Sequence, residues 1–440
     1  ASKGAVEAIL DVSTGIADSD GDRPLSETDR DRLLAEAATF ADEGYRVLAV
    51  AARSLPTEDP GMPAAIEADL TVLGLVAMAD PPRAESFDAV VACRNAGITP
   101  VMITGDHPST AGAIGERLGI LEADEEVMTG VRLAEEHEEG LEDHVQNVAV
   151  YARTTPEQKL DIVQAWKARG DVVAMTGDGV NDAPALRSAD IGVAMGVAGT
   201  EVAKEAADMV LQDDNFATIV TAVGEGRRIY DNIRKFVRYT LTSNSGEIWV
   251  MFLGPFIGLS LPLLPVQILW INLVTDGLPG LALGIEPAER GVMKRPPRAP
   301  SESVFSQGLW QHVLIVGLLM GLIPLSLGLW GDATDRPWQT MVFVSLALLQ
   351  LGHAMAVRSE RDSLWRLGLL SNKPLLWAVL GTFALQMIVV YWPPAQNLLD
   401  TEALDPLELT VVLIASTGVF WAVEIEKAVR RRMEPEFADD

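Results

Sequence analysis

Past residue 230 the chain carries six apolar stretches, Phe236–Leu259, Val266–Ile285, Trp310–Leu329, Gln339–Val357, Pro374–Trp392 and Leu409–Val429. Each is close to the ~20 residues that an α-helix needs to cross a bilayer. The loops between them alternate in charge. Arg290, Lys294, Arg295 and Arg298 fall in one, Arg358, Arg361, Arg366 and Lys373 in another, and Lys427 and Arg430 to Arg432 in the tail. The intervening loops carry Asp332, Asp335, Asp400, Glu402, Asp405 and Glu408, with Arg336 as their basic residue. Lys and Arg in short loops mark the cytoplasmic side, so both chain ends are expected there, joined by an even number of spans. Trp310, Trp330, Trp338, Tyr391 and Trp392 stand near segment ends, as interface anchors do. Buried helices of a soluble protein are the competing reading, and they leave this alternation unexplained.

Two of the stretches hold polar groups where an anchor has no use for them. Asn244 and Glu247 are spaced i, i+3 and share a helix face. Glu247 lies roughly 16 Å along a helix from Phe236, near the bilayer midplane. In the next stretch Asn272, Thr275 and Asp276 share a face, and Gly277 and Pro279 follow, so the helix is expected to loosen there and free carbonyl oxygens. Intramembrane carboxylates are costly and mark ion pathways. Carboxylate, amide, hydroxyl and carbonyl oxygens together suit a hard cation such as Ca²⁺. Interhelical hydrogen bonding is the alternative; it would account for Asn244 alone, but not for Glu247 and Asp276 together.

The first half has a different rhythm. Strands are expected at Leu73–Met78, Val101–Thr104, Val148–Ala152, Val172–Thr176 and Ile191–Ala194. Helices are expected at Ala84–Ala96, Thr110–Leu118, Pro156–Arg169 and Glu201–Ala207. Such alternation predicts a parallel, doubly wound sheet with its chemistry at the carboxyl ends of the strands. There the run TGDGVNDAP (Thr176 to Pro184) places Asp178 and Asp182 on a tight turn, a pair suited to hold Mg²⁺ beside a phosphoryl group. Thr104, Gly105 and Asp106 end another strand. Lys159, in the first turns of a helix, can reach a phosphate as a point charge. The bland alternative for Thr176 to Pro184 is a surface turn rich in Gly, Asn and Asp.

Composition narrows the class. The chain has 440 residues, 48% of them hydrophobic, which allows one water-soluble unit plus a membrane unit. A formal charge of −28, from 62 acidic and 34 basic residues, argues against a nucleic-acid partner. The single Cys93 excludes an internal disulfide and a thiolate metal cluster, and its helical surroundings predict burial. The acidic run from Glu135 to Asp143 reads as a solvated surface insert. From Asp213 to Arg238, helical periodicity with Arg227, Arg228, Arg234, Lys235 and Arg238 reads as a stalk leading to the helix with Glu247.

DPPR (Asp80 to Arg83), MITGD (Met102 to Asp106), Lys159 in ARTTPEQK and TGDGVNDAP, followed by the hydrophobic half, together resemble a P-type cation-transporting ATPase. In motif they are nearest to the calcium pumps of sarco/endoplasmic type. The resemblance covers the later part of such a pump. It implies an α/β haloacid-dehalogenase-like (Rossmann-like) phosphorylation domain over 68–215, lacking its first strand. It also implies the end of a nucleotide-binding domain over 1–67, and a stalk with an all-α membrane domain of six transmembrane helices over 216–440. Asp178 and Asp182 are then the Mg²⁺ ligands, while Asp182 and Asn181 also order the site. Thr104, Gly105, Asp106 and Lys159 serve the phosphoryl group, with Thr104 and Lys159 contacting its oxygens. Lys3, in KGA, is similar to a stretch lining the adenine pocket, and Arg46 to an arginine that helps hold ATP. Arg83 is grouped with them, and Asp80 marks a hinge.

In the same resemblance TSNSGE (Thr242 to Glu247) and WINLVTDGLP (Trp270 to Pro279) make Asn244, Glu247, Asn272, Thr275 and Asp276 ligands of the transported cation. Where the calcium pumps carry a Glu on a later helix, this chain has Gln350, a weaker ligand. One ion per cycle or another ion (Mn²⁺, Na⁺, K⁺ or Mg²⁺) therefore stands beside Ca²⁺. His353 is expected to be a packed or hydrogen-bonded residue. No DKTG segment occurs, so the phosphorylated Asp is not in this sequence. The chain is expected to be a piece of a longer pump in a bacterial or archaeal membrane, or half of a split pump needing its N-terminal portion. Two readings of other classes remain at this point: a non-catalytic membrane subunit, and a phosphatase fused to an unrelated membrane anchor.

Overall fold

A computed structural model of the chain describes residues 1–19, 21–42, 44–54, 67–78, 82–122, 125–137 and 141–433. Asp80, expected as a hinge, and part of the acidic insert, residues 138–140, lie outside the described residues. The chain divides into two compact units, Ala1–Thr221 with Met293–Pro300, and Ala222–Val292 with Ser301–Asp440.

The first unit opens with a five-stranded sheet in the spatial order Ser2–Gly4, Arg46–Ala52, Leu70–Met78, Ser13–Ile16, Arg23–Pro24. In Arg46–Ala52 the inward positions alternate, so Ala49 and Ala51 are both fully buried. Ile9 and Leu10 of the helix Val6–Asp11 and Leu33 of the helix Glu27–Asp42 complete that core. Leu70–Met78 corrects an expectation. The sequence places Leu73–Met78 in the parallel sheet; the strand instead joins the five-stranded sheet, parallel to Ser13–Ile16 but antiparallel to Arg46–Ala52, with Arg46 opposite Met78 and Ala52 opposite Thr71. The strand just before it in sequence supplies an edge to pair with.

The expected parallel sheet is incomplete, as the missing first strand implies. The parallel strands form two sheets of three. One has Val150–Ala152 between Met102–Ile103 and Met128–Thr129. The other has Ile191–Met195 between Ala174–Gly177 and Met209–Leu211. Among the described residues no strand pairs across the two, which leaves Met102–Ile103 and Ala174–Gly177 as edge strands. Val150, Tyr151 and Ala152 are all fully buried, as a strand covered on both faces must be. Pro156–Ala168 starts with a full capping box: the Thr155 hydroxyl accepts from Gln158 N–H, and Gln158 Oε1 accepts from Thr155 N–H. Cys93 is buried as expected.

The second unit is helical. Among the described residues five helices, not six, are long and apolar enough to cross a membrane: Pro265–Leu283, Leu309–Ala333, Trp338–Ala356, Lys373–Tyr391 and Pro406–Met433. The first expected span falls in the helix Phe216–Leu253, which is not among them. Its stretch Thr240 to Glu247 carries two Thr, two Ser, Asn244 and Glu247, and these lower its hydropathy. Trp338–Ala356 is the central helix, enclosed on nearly every side. Large apolar side chains such as Leu273, Leu281, Ile315, Trp377 and Ile414 point outward, each at least two-thirds exposed.

Two helices approach closely along a stripe of small residues. A Cβ on Gly317 would lie 2.4 Å from Ser245 Oγ, one on Gly321 2.6 Å from Trp249 Cβ, and one on Gly246 2.9 Å from Met320 Cγ. Only hydrogen fits at these three positions, which is how Phe216–Leu253 and Leu309–Ala333 come into backbone contact. At one end of the unit Arg358 grips Glu286 with Nε at 3.1 Å and Nη2 at 2.8 Å. Asn372 donates to the same carboxylate at 2.6 Å. Three of the five basic residues of the expected stalk are buried: Arg234 and Arg238 meet Glu360 at 3.3 and 3.0 Å, and Lys235 meets Glu289 at 3.0 Å.

Candidate functional site

In the first unit the turn after Ala174–Gly177 folds back over the Asp182 carboxylate. Asp182 Oδ2 accepts from the N–H groups of Asp178 (3.2 Å) and Gly179 (3.1 Å), and Oδ1 meets Lys159 Nζ at 2.6 Å. Gly177 makes this possible, because a Cβ there would stand 2.5 Å from Asp182 Cβ. Burial pushes the Asp182 carboxyl up. The hydrogen bond and charge of Lys159 and the two N–H groups outweigh it and hold the carboxyl below its ordinary value. Both oxygens of Asp182 are thus committed. Asp178 is exposed, and its carboxylate accepts no hydrogen bond among the described residues. An Mg²⁺ ion fits Asp178 directly, with Asp182 holding the turn. Asn181 is exposed on the same turn.

Thr104, Gly105 and Asp106 form a second small turn. Thr104 Oγ1 donates to Asp106 Oδ2 and accepts from Asp106 N–H, both at 3.1 Å. Thr154 anchors it by donating from N–H (3.2 Å) and Oγ1 (3.1 Å) to the Thr104 carbonyl. Among the described residues no hydrogen bond links this turn to Lys159, Asp178 or Asp182. Lys3 and Arg46 are exposed on the five-stranded sheet. Lys3 sits opposite Val50, so Arg46 lies about 13 Å further along that strand. Arg83 donates to the carbonyls of Asp213 (3.3 Å) and Asp214 (2.9 Å) and fastens that turn.

In the second unit Glu247, 7% exposed, accepts from Asn272 Nδ2 at 3.0 Å and Gln350 Nε2 at 3.2 Å. Asp276 is 6% exposed, and neither of its oxygens has a donor in hydrogen-bond geometry. The hydroxyls of Tyr239 and Ser243 are near enough to donate to Asp276 once slightly reoriented, and the charge of Glu247 bears on it. Asn244 Oδ1, Ser243 Oγ, Thr275 Oγ1 and Gln350 Oε1 are likewise buried without a partner. Buried polar atoms are ordinarily satisfied, and these oxygens are exceptions among the described residues. Among the described residues no three His, Cys, Asp or Glu gather as a metal cluster. The set is two carboxylates with neutral oxygens, suited to a hard cation. Asn272 is the exposed member.

The helix carrying Asp276 loosens one turn earlier than expected. Ile271–Thr275 is π-helical, with Asp276 N–H reaching back to the Ile271 carbonyl at 2.9 Å. Pro279 has no N–H for the carbonyl of Thr275, four residues back. Tyr239 OH donates to that carbonyl instead, at 3.2 Å. Sequence reasoning missed Tyr239 and Ser243. Their signal was available, since Tyr239, Ser243 and Glu247 follow one another at i, i+4, i+8 on one helix face.

Comparison with known proteins identifies the family. The family described as "Cation transporting ATPase, C-terminus" matches residues 260–429. "P-type ATPase, cytoplasmic domain N" matches residues 1–85, and "haloacid dehalogenase-like hydrolase" residues 160–223. The chain belongs to the P-type cation-transporting ATPases, as a portion of one. Among its relatives is a "Calcium-transporting ATPase" of Bacillus subtilis, 46% identical over 93% of this chain and 46% of that protein. Another is a "Probable cation-transporting ATPase F" of Mycobacterium tuberculosis, 43% identical over 92% of this chain and 45% of that protein. A third is the "Calcium-transporting ATPase type 2C member 1" of Bos taurus, 37% identical over 98% of this chain and 44% of that protein. The chain spans about half the length of the curated relatives it matches.

Proposed function

We propose that this chain is the part of an ATP-driven pump that holds the cation, with Ca²⁺ as the favoured substrate. The observation that carries this reading is the burial of Glu247 and Asp276 among oxygens without donors. Glu247, Asp276, Asn244, Asn272 and Thr275 are the ligands, with the Thr275 carbonyl, which accepts from Tyr239 OH, beside them. The amides of Asn272 and Gln350 turn their donors to Glu247; turned over, they present oxygen instead. Gln350 gives a neutral oxygen where a carboxylate would bind more firmly, which favours one ion per cycle. The names of the relatives in Bacillus subtilis and Bos taurus support Ca²⁺.

In the other unit Lys159, Thr104 and Asp178 are assigned to a phosphoryl group passing to and from an aspartate elsewhere in the pump. Lys159 and Thr104 position and neutralise it. Asp182, Asn181, Gly105 and Asp106 hold the two turns in shape. Mg²⁺, when bound at Asp178, supplies charge to the phosphoryl oxygens. Lys3 and Arg46 face ATP at separate points of the five-stranded sheet, within a nucleotide-binding part over 1–67. The phosphorylation part covers 68–215, and the stalk and membrane part 216–440. The basic loops and the tail face the cytoplasm, and the cation leaves it.

The test is phosphorylation of the intact pump by γ-labelled ATP, resolved on an acidic gel. A hydroxylamine-sensitive label that appears with micromolar Ca²⁺, and loses that dependence in Asp276→Ala, is the expected result. A label that needs another cation changes the substrate. No label with any cation overturns the reading.

A further inference from the structure

Resting on the pump reading, we infer that Glu426, His312 and His353 form a proton relay beside the cation site, and that a proton leaves along it as the cation is carried. The three residues stand on three helices, Gly418–Met433, Leu309–Ala333 and Trp338–Ala356. His312 Nδ1 lies 2.7 Å from Glu426 Oε2, and His312 Nε2 lies 3.1 Å from His353 Nε2. The two imidazoles are 3% and 0% exposed, while the Glu426 side chain is 35% exposed. His353 also stacks on Tyr239, with ring centroids 5.8 Å apart, and Tyr239 is the residue that binds the Thr275 carbonyl. The row therefore runs from a partly exposed carboxylate to Tyr239, beside the proposed cation site.

The hydrogen-bond geometry fixes where the protons are. Glu426, as a carboxylate, accepts, so His312 Nδ1 carries a proton. Only one proton fits between the two Nε2 atoms, and with His312 neutral it belongs to His353. His353 Nδ1 is then a bare lone pair, and it is buried with no partner. A buried acceptor left empty at the inner end of a hydrogen-bonded row is what a proton acceptor requires. The charged and titratable groups facing the two rings are Glu426, Arg238, Arg430 and Lys427. Of these, Arg430 lies 3.6 Å from Glu426, and Lys427 is paired with Glu424 at 2.8 Å. Tyr239 covers the inner ring.

In the outward step a proton released in the cation site binds His353 Nδ1. The Nε2 proton of His353 passes to His312 Nε2, and the Nδ1 proton of His312 passes to Glu426, which loses it to water. Each nitrogen that gains a proton is on a ring that gives one up, no electrons change hands, and one proton moves in total. The rings end as the opposite tautomers. A second transfer in the same direction waits for their return, which limits the relay to one proton per conformational cycle.

The test uses the intact pump in vesicles, ATP-binding side outward, with a pH dye trapped inside. The expected result is a rise in lumen pH as the cation enters. His353→Phe keeps the stacked ring but removes both nitrogens, and it should lower the protons moved per cation tenfold or more while cation-dependent phosphorylation stays within twofold. Glu426→Gln breaks only the exposed end, so it should fold, and it should show the same loss. A ratio unchanged in Glu426→Gln, cation uptake without a pH change in the unsubstituted pump, or proportional loss of both activities in both variants overturns the relay. If the unsubstituted pump takes up no cation, the pump reading itself fails. The relay is then judged from ¹⁵N-histidine spectra of the chain in bilayers. A bare Nδ1 on His353 supports it. Fixed Nε2 protons on both rings, or one Zn²⁺ per chain shifting both Nε2 signals, overturns it.

Discussion

Asp276→Asn should stabilise the cation-free protein and abolish its response to the cation. Asp276 is 6% exposed, with both carboxylate oxygens lacking donors. A buried polar group left unsatisfied costs about 1–3 kcal/mol, and more when charged. Asparagine keeps the shape, removes the charge and brings two N–H donors into a cluster of oxygens that lack them. The variant should therefore gain about 1–3 kcal/mol without cation, or roughly 2–10 °C in Tm for a unit of this size. With Ca²⁺ at about 100 times its Kd, the unsubstituted protein gains ~2.7 kcal/mol and the variant almost nothing. The order of stability should thus narrow or reverse when Ca²⁺ is added. Tryptophan fluorescence on heating in detergent reads this well, because of the ten tryptophans Trp166 alone lies in the first unit. A variant less stable than the parent without cation, or one that keeps the Ca²⁺ shift, refutes the reasoning and makes Asp276 a packing residue.

Arg358→Met strands Glu286, which is 3% exposed, and should cost about 3–5 kcal/mol, with part of the loss restored by adding Glu286→Leu; the same melting experiment checks it. Lys159→Met leaves the buried Asp182 without its cation, and should cost about 1–3 kcal/mol at neutral pH, discounted because Lys159 is 20% exposed. The sign with pH follows from the lowered carboxyl of Asp182. Its contribution is fully present above the unfolded value near ~3.9 and is lost as pH falls through the lower folded value. Acid unfolding of the first unit, followed by Trp166 fluorescence, should therefore begin at higher pH in Lys159→Met than in the parent. Equal acid midpoints would count against the pairing.

The sequence carried the chemistry further than the architecture. Asp178 and Asp182 are legible because a tight turn after a strand needs glycine and collects carboxylates, and the Gly177–Asp182 contact shows why that glycine is required. Glu247 and Asp276 are legible because charge inside an apolar run has no bland explanation. The same polar residues misled the count of spans, since whatever lines a cation site also lowers the hydropathy of the helix that carries it. Pro279 pointed to a break but placed it late, because the carbonyl a proline releases lies four residues back, at Thr275. The partner of Leu70–Met78 was not legible, because alternation fixes a face and not a neighbour. Nor was the contact of His312 with His353, which are distant in sequence and meet only once three helices have packed.

The glycine contacts between Phe216–Leu253 and Leu309–Ala333 have a mechanical meaning. Ser245 and Trp249 sit in notches left by Gly317 and Gly321, and Met320 sits over Gly246. Neither helix can slide along the other or turn about its own axis without first separating from it. Glu247 is thus fixed to a double beam. Asp276 stands on a single helix interrupted by a π turn, and shedding the extra residue of that turn would rotate everything beyond it by about 100°. The compliance of the pair is unequal, and the distance between the two carboxylates is set by the weaker support.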